Sequence, residues 1–488
     1  MEQRITVLAY AVRGRVVLKY CGQLAFMLAL LTIPPLGFAL LDAEWVAAER
    51  YALVCGGLLL SGYALARLPA PALIQDNEAL TITAMAFLLT PVLMSWPLMA
   101  GGIPLTDALF EAISGITTTG LSTLGSIGHR PASFLFARAW MQWYGGLGIV
   151  VLSIALLMGH RAAARRLADP VESGEALVAT ARTHARHSLV VYVCLSLLGL
   201  ALVWPLAGDG FDALLLVLSA VSTGGFSAFD NGLAGLGSMT AAAVLVVSLL
   251  GAVSLPVYWR MVHAGPGGGL RALFRDLESH ALLAGCLLVG GLLTWLAWEH
   301  GMARPWYHGM LMGISALSTT GFATLSVADM DPTSKLIMIV AMLVGGSVGS
   351  TAGGFKLLRL LILMRLLQLS LRRLAMPPHA VAQPYLSGHK LDNDDIQKSL
   401  QLILLFTGIT LLSWLAFVAA GYDPLDALFE VASACGTAGL SSGITRPELE
   451  PVLKGVLCFD MLAGRLEVIA LLLVLYPRNW IGRRVKIL

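Results

Sequence analysis

Apolar runs of roughly 20 residues, the length that crosses about 30 Å of hydrocarbon, recur from Gly22–Leu41 through to Val456–Tyr476 with short polar segments between them. The pattern predicts an all-α integral membrane protein with about ten transmembrane helices. Between several of these runs lie shorter apolar stretches that cannot cross and that end in Thr and Gly. They align on one another without gaps. Take Gly120, Gly225, Gly321 and Gly439 as anchors. Two residues before each is Thr118, Thr223, Thr319 or Thr437; six before is Ser114, Ser219, Ser315 or Ser433; thirteen before is Asp107, Asp212, His308 or Asp426.

A register kept at four positions in four places describes a duplicated unit: a span, a short helix starting near the Asp or His, a Gly-containing loop and a second span. The first spans are expected to begin near Ala79, His187, His280 and Gln397. The second spans are expected near Arg138, Gly237, Ser334 and Pro451. Two further spans, Gly22–Leu41 and Tyr51–Leu68, precede the repeats. The implied organisation is a two-span region over 1–76 and four repeats over 77–170, 171–275, 276–390 and 391–488. The short stretches then read as four re-entrant pore loops in a pseudo-fourfold arrangement. Small residues at helical spacing also let membrane helices pack closely, and one isolated Thr-Gly pair would be read that way. Helix packing gives no reason for the fourfold register.

Composition agrees with a membrane setting: 57% of residues are hydrophobic and 12% charged, against about 25% charged in a soluble domain. The net charge of +3 is small and its basic residues are scattered, so no nucleic-acid surface is indicated. Most of the 32 Lys and Arg residues fall on cytoplasmic segments if both termini are cytoplasmic, among them Gly159 to His187 and Lys356 to Lys398; the stretch from Leu206 to Met239 has none. The basic start before the first apolar run reads as part of a retained span rather than a cleaved signal. Six cysteines stand singly and read as buried thiols. The sequence has no H-E-x-x-H motif or His/Cys cluster, which argues against an enzyme. The Gly-rich run Gly265 to Gly269 is too short for a phosphate loop, so no organic cofactor is expected.

Non-helical backbone at membrane depth is tolerated where it lines a wet cavity, and four loops around an axis supply one. Their carbonyls can replace the water shell of an ion. Gly at the anchor allows backbone angles that a side chain forbids, and short helices ending toward the axis present partly negative C-termini to a cation. The candidate ion-binding residues are Thr117, Thr118, Thr119 and Gly120; Ser222, Thr223, Gly224 and Gly225; Ser318, Thr319, Thr320 and Gly321; Gly436, Thr437, Ala438 and Gly439. A candidate gate interrupts the second span of repeat three: Gly345, Gly346, Gly349, Gly353 and Gly354 predict a broken helix whose backbone lies in the path. Arg465, inside the last span, costs roughly 2.5 to 3.5 kcal/mol on insertion scales and is expected to face the pore and touch this loop. Glu111 and Glu430, nine before their anchors, either attract cations or hold loop N–H groups behind the filter. Asp107, Asp212 and Asp426 read as N-terminal helix caps, and Lys356 as a cytoplasmic-side snorkel.

The four loops resemble the filters of the Trk/Ktr/HKT potassium transporters, and the resemblance covers essentially the whole chain. The two leading spans, Gln142-Trp143-Tyr144-Gly145-Gly146-Leu147-Gly148 and Gly464-Arg465-Leu466-Glu467 are similar to bacterial TrkH-type subunits. The resemblance implies K⁺ uptake across the bacterial inner membrane by a homodimer, each protomer with its own pore. It also implies ion sites on the filter carbonyls, an intramembrane gating loop, and a cytosolic TrkA-type nucleotide-binding partner. Two departures are expected to bear on selectivity. Leu250-Gly251-Ala252-Val253-Ser254-Leu255 lacks a Gly-Gly-Asn-Phe type of sequence, and Gly436 and Ala438 stand where repeat one has Thr117 and Thr119. K⁺ alone or K⁺ with Na⁺, and a channel or a Na⁺- or H⁺-coupled symporter, all stay open at this point.

Overall fold

The computed structural model describes residues 11–70, 74–148, 150, 174–263, 276–375, 377, 383–386 and 389–480. The start before residue 11, most of the loop Gly159 to His187, and Gly265 to Gly269 lie outside the described residues. What is described is almost wholly helical, apart from a two-residue pairing of Tyr385–Leu386 with His389–Lys390.

Two leading helices, Gly14–Leu41 and Trp45–Ala66, form a hairpin. Gly22 lets them touch, since a Cβ there would lie 2.6 Å from the Leu65 Cβ, the small-residue contact common in membranes. Their outer faces expose leucines such as Leu30, Leu41 and Leu60, a surface suited to hydrocarbon.

Each repeat then follows the same course. Its first span is a long apolar helix: Asp76–Leu98, Gly174–Ala207, Leu277–Glu299 and Asn393–Ala419. A pore helix packs on it: Leu105–Ile116, Gly210–Val221, Pro305–Leu317 and Pro424–Cys435. A loop and a second helix follow, over 132–148, Ser238–Ala252, Pro332–Val344 and Pro451–Arg465. The second helix of repeat one therefore begins six residues before the expected Arg138.

Five helices among the described residues are long and apolar enough to cross a membrane: the first helix and the four first spans. A sixth crossing arises if Ser238–Ala252 and Leu255–His263, bent by 85°, are one broken span. The remaining second helices are shorter, 13 residues in repeat three and 15 in repeat four, because each is interrupted at the depth of the filter. Among the described residues this gives five or six spans long and apolar enough to cross, where the sequence pattern predicts about ten.

Candidate functional site

Every pore helix ends four residues before its anchor glycine, at Ile116, Val221, Leu317 and Cys435. The cap residues Thr117, Ser222, Ser318 and Gly436 remain right-handed. The chain then turns over, with Thr118, Thr223, Thr319 and Thr437 at φ of 53°, 52°, 52° and 48°. Two bonds close each turn. The Thr amides donate to the carbonyls of Gly115, Ala220, Ala316 and Ala434 at 3.0, 3.0, 3.2 and 3.1 Å. The following amides donate to those of Ser114, Ser219, Ser315 and Ser433 at 2.9, 2.7, 3.0 and 2.8 Å. This is the Schellman ending of a helix, which glycine normally completes. A β-branched residue in that conformation carries strain of about 1–3 kcal/mol. Threonine is used four times at a place where glycine would be cheaper, which points to a use for its hydroxyl.

After one residue of negative φ the anchors turn left-handed again: Gly120, Gly225, Gly321 and Gly439 have φ of 92°, 74°, 84° and 85°. Alternation of backbone hand turns successive carbonyls to one side. The anchors also define how the loops meet. A Cβ on Gly120 would lie 2.2 Å from the Gly224 carbonyl oxygen, on Gly225 2.0 Å from that of Thr320, on Gly321 2.1 Å from that of Ala438, and on Gly439 2.0 Å from that of Thr119. Each repeat thus abuts the next, and the fourth abuts the first. Behind this ring the next residues, Leu121, Phe226, Phe322 and Leu440, are buried anchors, none more than 3% exposed.

Polar groups hold the loops from behind. Glu111 accepts hydrogen bonds from Ser122 Oγ at 2.7 Å, the Thr123 amide at 3.1 Å and Arg138 Nε at 2.7 Å. The Arg138 guanidinium lies 3.8 Å over the Phe226 ring, joining repeat one to repeat two. Glu430 accepts from Ser441 Oγ at 2.9 Å, from the Ser442 amide and hydroxyl, both at 2.9 Å, and from the Thr445 hydroxyl. The geometry of both acids is that of loop holders. Gln142 does the same across a repeat boundary: its Nε2 donates to the Gly224 carbonyl at 2.5 Å and its Oε1 accepts from the Phe226 amide at 3.1 Å. Its side chain occupies the space a Cβ on Gly224 would need. Gln142→Ala is expected to loosen the second loop, lowering stability by about 1–3 kcal/mol and weakening discrimination between ions. Thermal unfolding and paired ion fluxes check this.

Three sequence expectations are corrected here. The helix caps are Asp209, which accepts from the Asp212 amide, and Asp423, which accepts from those of Leu425 and Asp426; repeat one has Pro104 at that place. Asp107 and Asp426 sit within the first turn and reach sideways to the second helix of the preceding repeat, meeting Lys454 at 2.6 Å and Lys335 at 2.7 Å. A lysine is available there, and an ion pair at a partly buried site outweighs a local cap. Lys356 does not snorkel. It is buried, at φ 75°, and its ammonium donates to the Ala352 carbonyl within the loop that precedes it.

That loop, residues 345–356, separates Pro332–Val344 from Leu357–Leu374, so the helix breaks as the sequence predicts. Gly345, Gly349 and Gly354 have φ of 73°, 75° and 72°. Gly353 is pressed against the filter, since a Cβ there would lie 2.1 Å from both the Gly436 carbonyl oxygen and Thr437 Oγ1. The Gly353 amide donates to Thr319 Oγ1 at 2.6 Å, and the Gly354 amide to the Gly436 carbonyl at 3.0 Å. Thr223 Oγ1 lies 3.4 Å from Thr351 Oγ1. Two of the four Thr hydroxyls therefore hydrogen-bond with the loop; those of Thr118 and Thr437 have no hydrogen-bond partner among the described residues. On its other side the loop docks on the break in repeat two. The Ser347 amide donates to the Ala252 carbonyl at 3.2 Å and the Leu255 amide to the Gly349 carbonyl at 3.0 Å. The bend at Val253 and Ser254 is thereby flanked by two backbone hydrogen bonds to the loop. Gly346 is tight as well, its would-be Cβ 2.5 Å from the Ala352 Cβ.

Arg465 clasps the loop. Its Nη1 donates to the Thr351 carbonyl at 2.7 Å and its Nη2 to the Gly145 carbonyl at 3.3 Å, with the side chain buried. The helix ends there, Glu467 and Val468 taking φ of 52° and 60°, and Glu467 pairs with Arg359 at 2.5 Å on the helix after the loop.

Comparison with known proteins places this arrangement. The sequence model of the TrkH family, described as a cation transport protein, matches residues 72–298 and 302–480. The chain is 29% identical over 496 residues to the Trk system potassium uptake protein TrkH of Halomonas elongata, covering 96% of this chain and 99% of that protein. It is 27% identical over 495 residues to the Trk system potassium uptake protein TrkG of Escherichia coli K12, covering 96% and 98%. The crystal structure of the potassium transporter TrkH from Vibrio parahaemolyticus superposes with a TM-score of 0.84 at 24% identity, covering 96% of this chain and all of that one. With the family pattern running through all four repeats, this chain belongs to the TrkH family of cation transport proteins.

Proposed function

We propose that this chain takes up K⁺ through a pore of its own, passing the ion along the carbonyls of its four loops and past the loop at 345–356 with Arg465. The observation that carries the reading is the closed ring in which each anchor glycine abuts a carbonyl of the next repeat. Only glycine fits there, and the four loops meet in one ring that carries a backbone carbonyl at each contact. The relatives named for potassium uptake support K⁺ as the ion. The membrane is the bacterial inner membrane, with both termini cytoplasmic. The assembly is a homodimer working with a cytosolic TrkA-type partner that supplies the nucleotide-binding site. A membrane potential moves each inward charge by about 2.3 kcal/mol per 100 mV, enough to accumulate K⁺.

The test is K⁺ and Na⁺ flux in liposomes holding the purified chain under an imposed potential. K⁺ flux well above Na⁺ flux is expected; equal fluxes would overturn selectivity. Current that reverses at the K⁺ equilibrium potential whatever the Na⁺ and pH gradients assigns a channel; reversal that moves with pH, or with Na⁺ while K⁺ flux stays well above Na⁺ flux, assigns a coupled carrier.

A further inference from the structure

Asp460 is an acid in the second helix of repeat four, Pro451–Arg465, that the pore as described leaves unused. It is fully buried. Its Oδ1 accepts from Ser413 Oγ, on the first span of repeat four, at 2.7 Å, and its Oδ2 has no hydrogen-bond partner among the described residues. The titratable groups facing it are the thiols of Cys435, from the pore helix, and Cys458, from its own helix. The first span brings only hydroxyls, Ser413 at the carboxyl and Thr410 beside Cys435. Among the described residues no Lys, Arg or His pairs with it.

The other buried acids of the pore repeats differ: Glu78 pairs with Arg13 and Asp107 with Lys454. Glu111 has Arg138, and Glu430 has the Ser442 amide and three hydroxyls aimed at it. Both carboxyls have several donors aimed at them. A carboxyl with one hydroxyl donor, a neighbouring thiol and no counter-charge in an interior site is costly to keep charged, and such a group takes up a proton instead. Intramembrane acids without a structural partner are characteristic of proton sites. The place matters too, because Cys435 immediately precedes Gly436, whose carbonyl receives the Gly354 amide of the interrupting loop.

We propose that Asp460 is a proton-binding site. It carries a proton on Oδ2 in the arrangement seen here, and on losing it to water it sets a negative charge behind the lower end of the repeat-four filter. That charge attracts cations into the path, so proton release raises conduction. The coupling half of this proposal rests on the reading of the loops as a K⁺ path.

Infrared difference spectra of the purified full chain test the site directly. The parent is expected to show a neutral carboxylic-acid C=O stretch that vanishes in Asp460→Asn and fades as pH is raised. In Ser413→Ala the same band is expected at higher frequency, since its carbonyl oxygen loses a donor; this variant keeps the acid should Asp460→Asn fail to fold. A neutral-acid band indifferent to both substitutions would overturn the site. In liposomes, parent K⁺ flux is expected to rise about tenfold from mildly acidic to mildly alkaline pH, the order of a unit charge acting across a partly screened interior, and to stay flat in Asp460→Asn. Equal pH dependence in both would overturn the coupling. Absence of K⁺ flux in either would overturn the K⁺ reading and the coupling with it, and the infrared band then decides by itself whether Asp460 binds a proton.

Discussion

Gly225→Ser is expected to remove most of the preference for K⁺ over Na⁺ while leaving the protein folded in the membrane. The new Cβ would lie 2.0 Å from the Thr320 carbonyl oxygen, so the second and third loops must part. The residue would also hold φ 74°, which costs a side chain roughly 1–2 kcal/mol. Parting the loops moves carbonyls from the axis, and each 1.4 kcal/mol lost in discrimination is about a factor of ten. A fall of at least about tenfold in the K⁺/Na⁺ flux ratio is therefore expected. Gly455→Ser is the control: it lies in the last helix, exposed, with nothing within 4 Å of its would-be Cβ, and should leave the ratio unchanged. If the two variants behave alike, the ring does not select the ion.

Arg465→Ala is expected to raise flux. The substitution deletes the donors to the Thr351 and Gly145 carbonyls and with them a positive charge beside the proposed path. A unit charge about 8 Å from a passing ion at an effective dielectric of 20 opposes it by about 2 kcal/mol, or roughly thirtyfold in rate. Arg465→Lys keeps the charge but not the two-pronged grip, so it should sit near the parent if the charge forms the barrier and near Arg465→Ala if the grip on the loop does. An Arg465→Ala protein that conducts no faster than the parent would end both accounts.

Much of this was legible in the residues. The filter register follows from duplication, which preserves spacing, and the helix break in repeat three follows from a run of glycine and serine inside apolar sequence. The buried charge of Arg465 announced itself because hydrocarbon penalises it. What the sequence hid were the partners across repeat boundaries. Nothing in the text of the chain says that repeat one stands between repeats four and two, so Lys454 with Asp107, Arg138 over Phe226, and Gln142 on Gly224 could not be paired. The same blindness made Asp107 and Asp426 look like caps: spacing reports that an acid is at a helix start, not that a lysine waits beside it. Lys356 misled for another reason. Its position after an apolar stretch suggested escape to water, while its positive φ and its bond to the Ala352 carbonyl keep it inside.

The ring of glycines and carbonyls also has a meaning for biosynthesis. Three of its four contacts join neighbours in chain order, but the fourth sets Gly439 against Thr119, so the first loop lacks one wall until the last has been inserted. A ribosome that has released three repeats has made no pore at all. If the four loops form the ion path, a chain truncated before the final hairpin is expected to be silent rather than partly active.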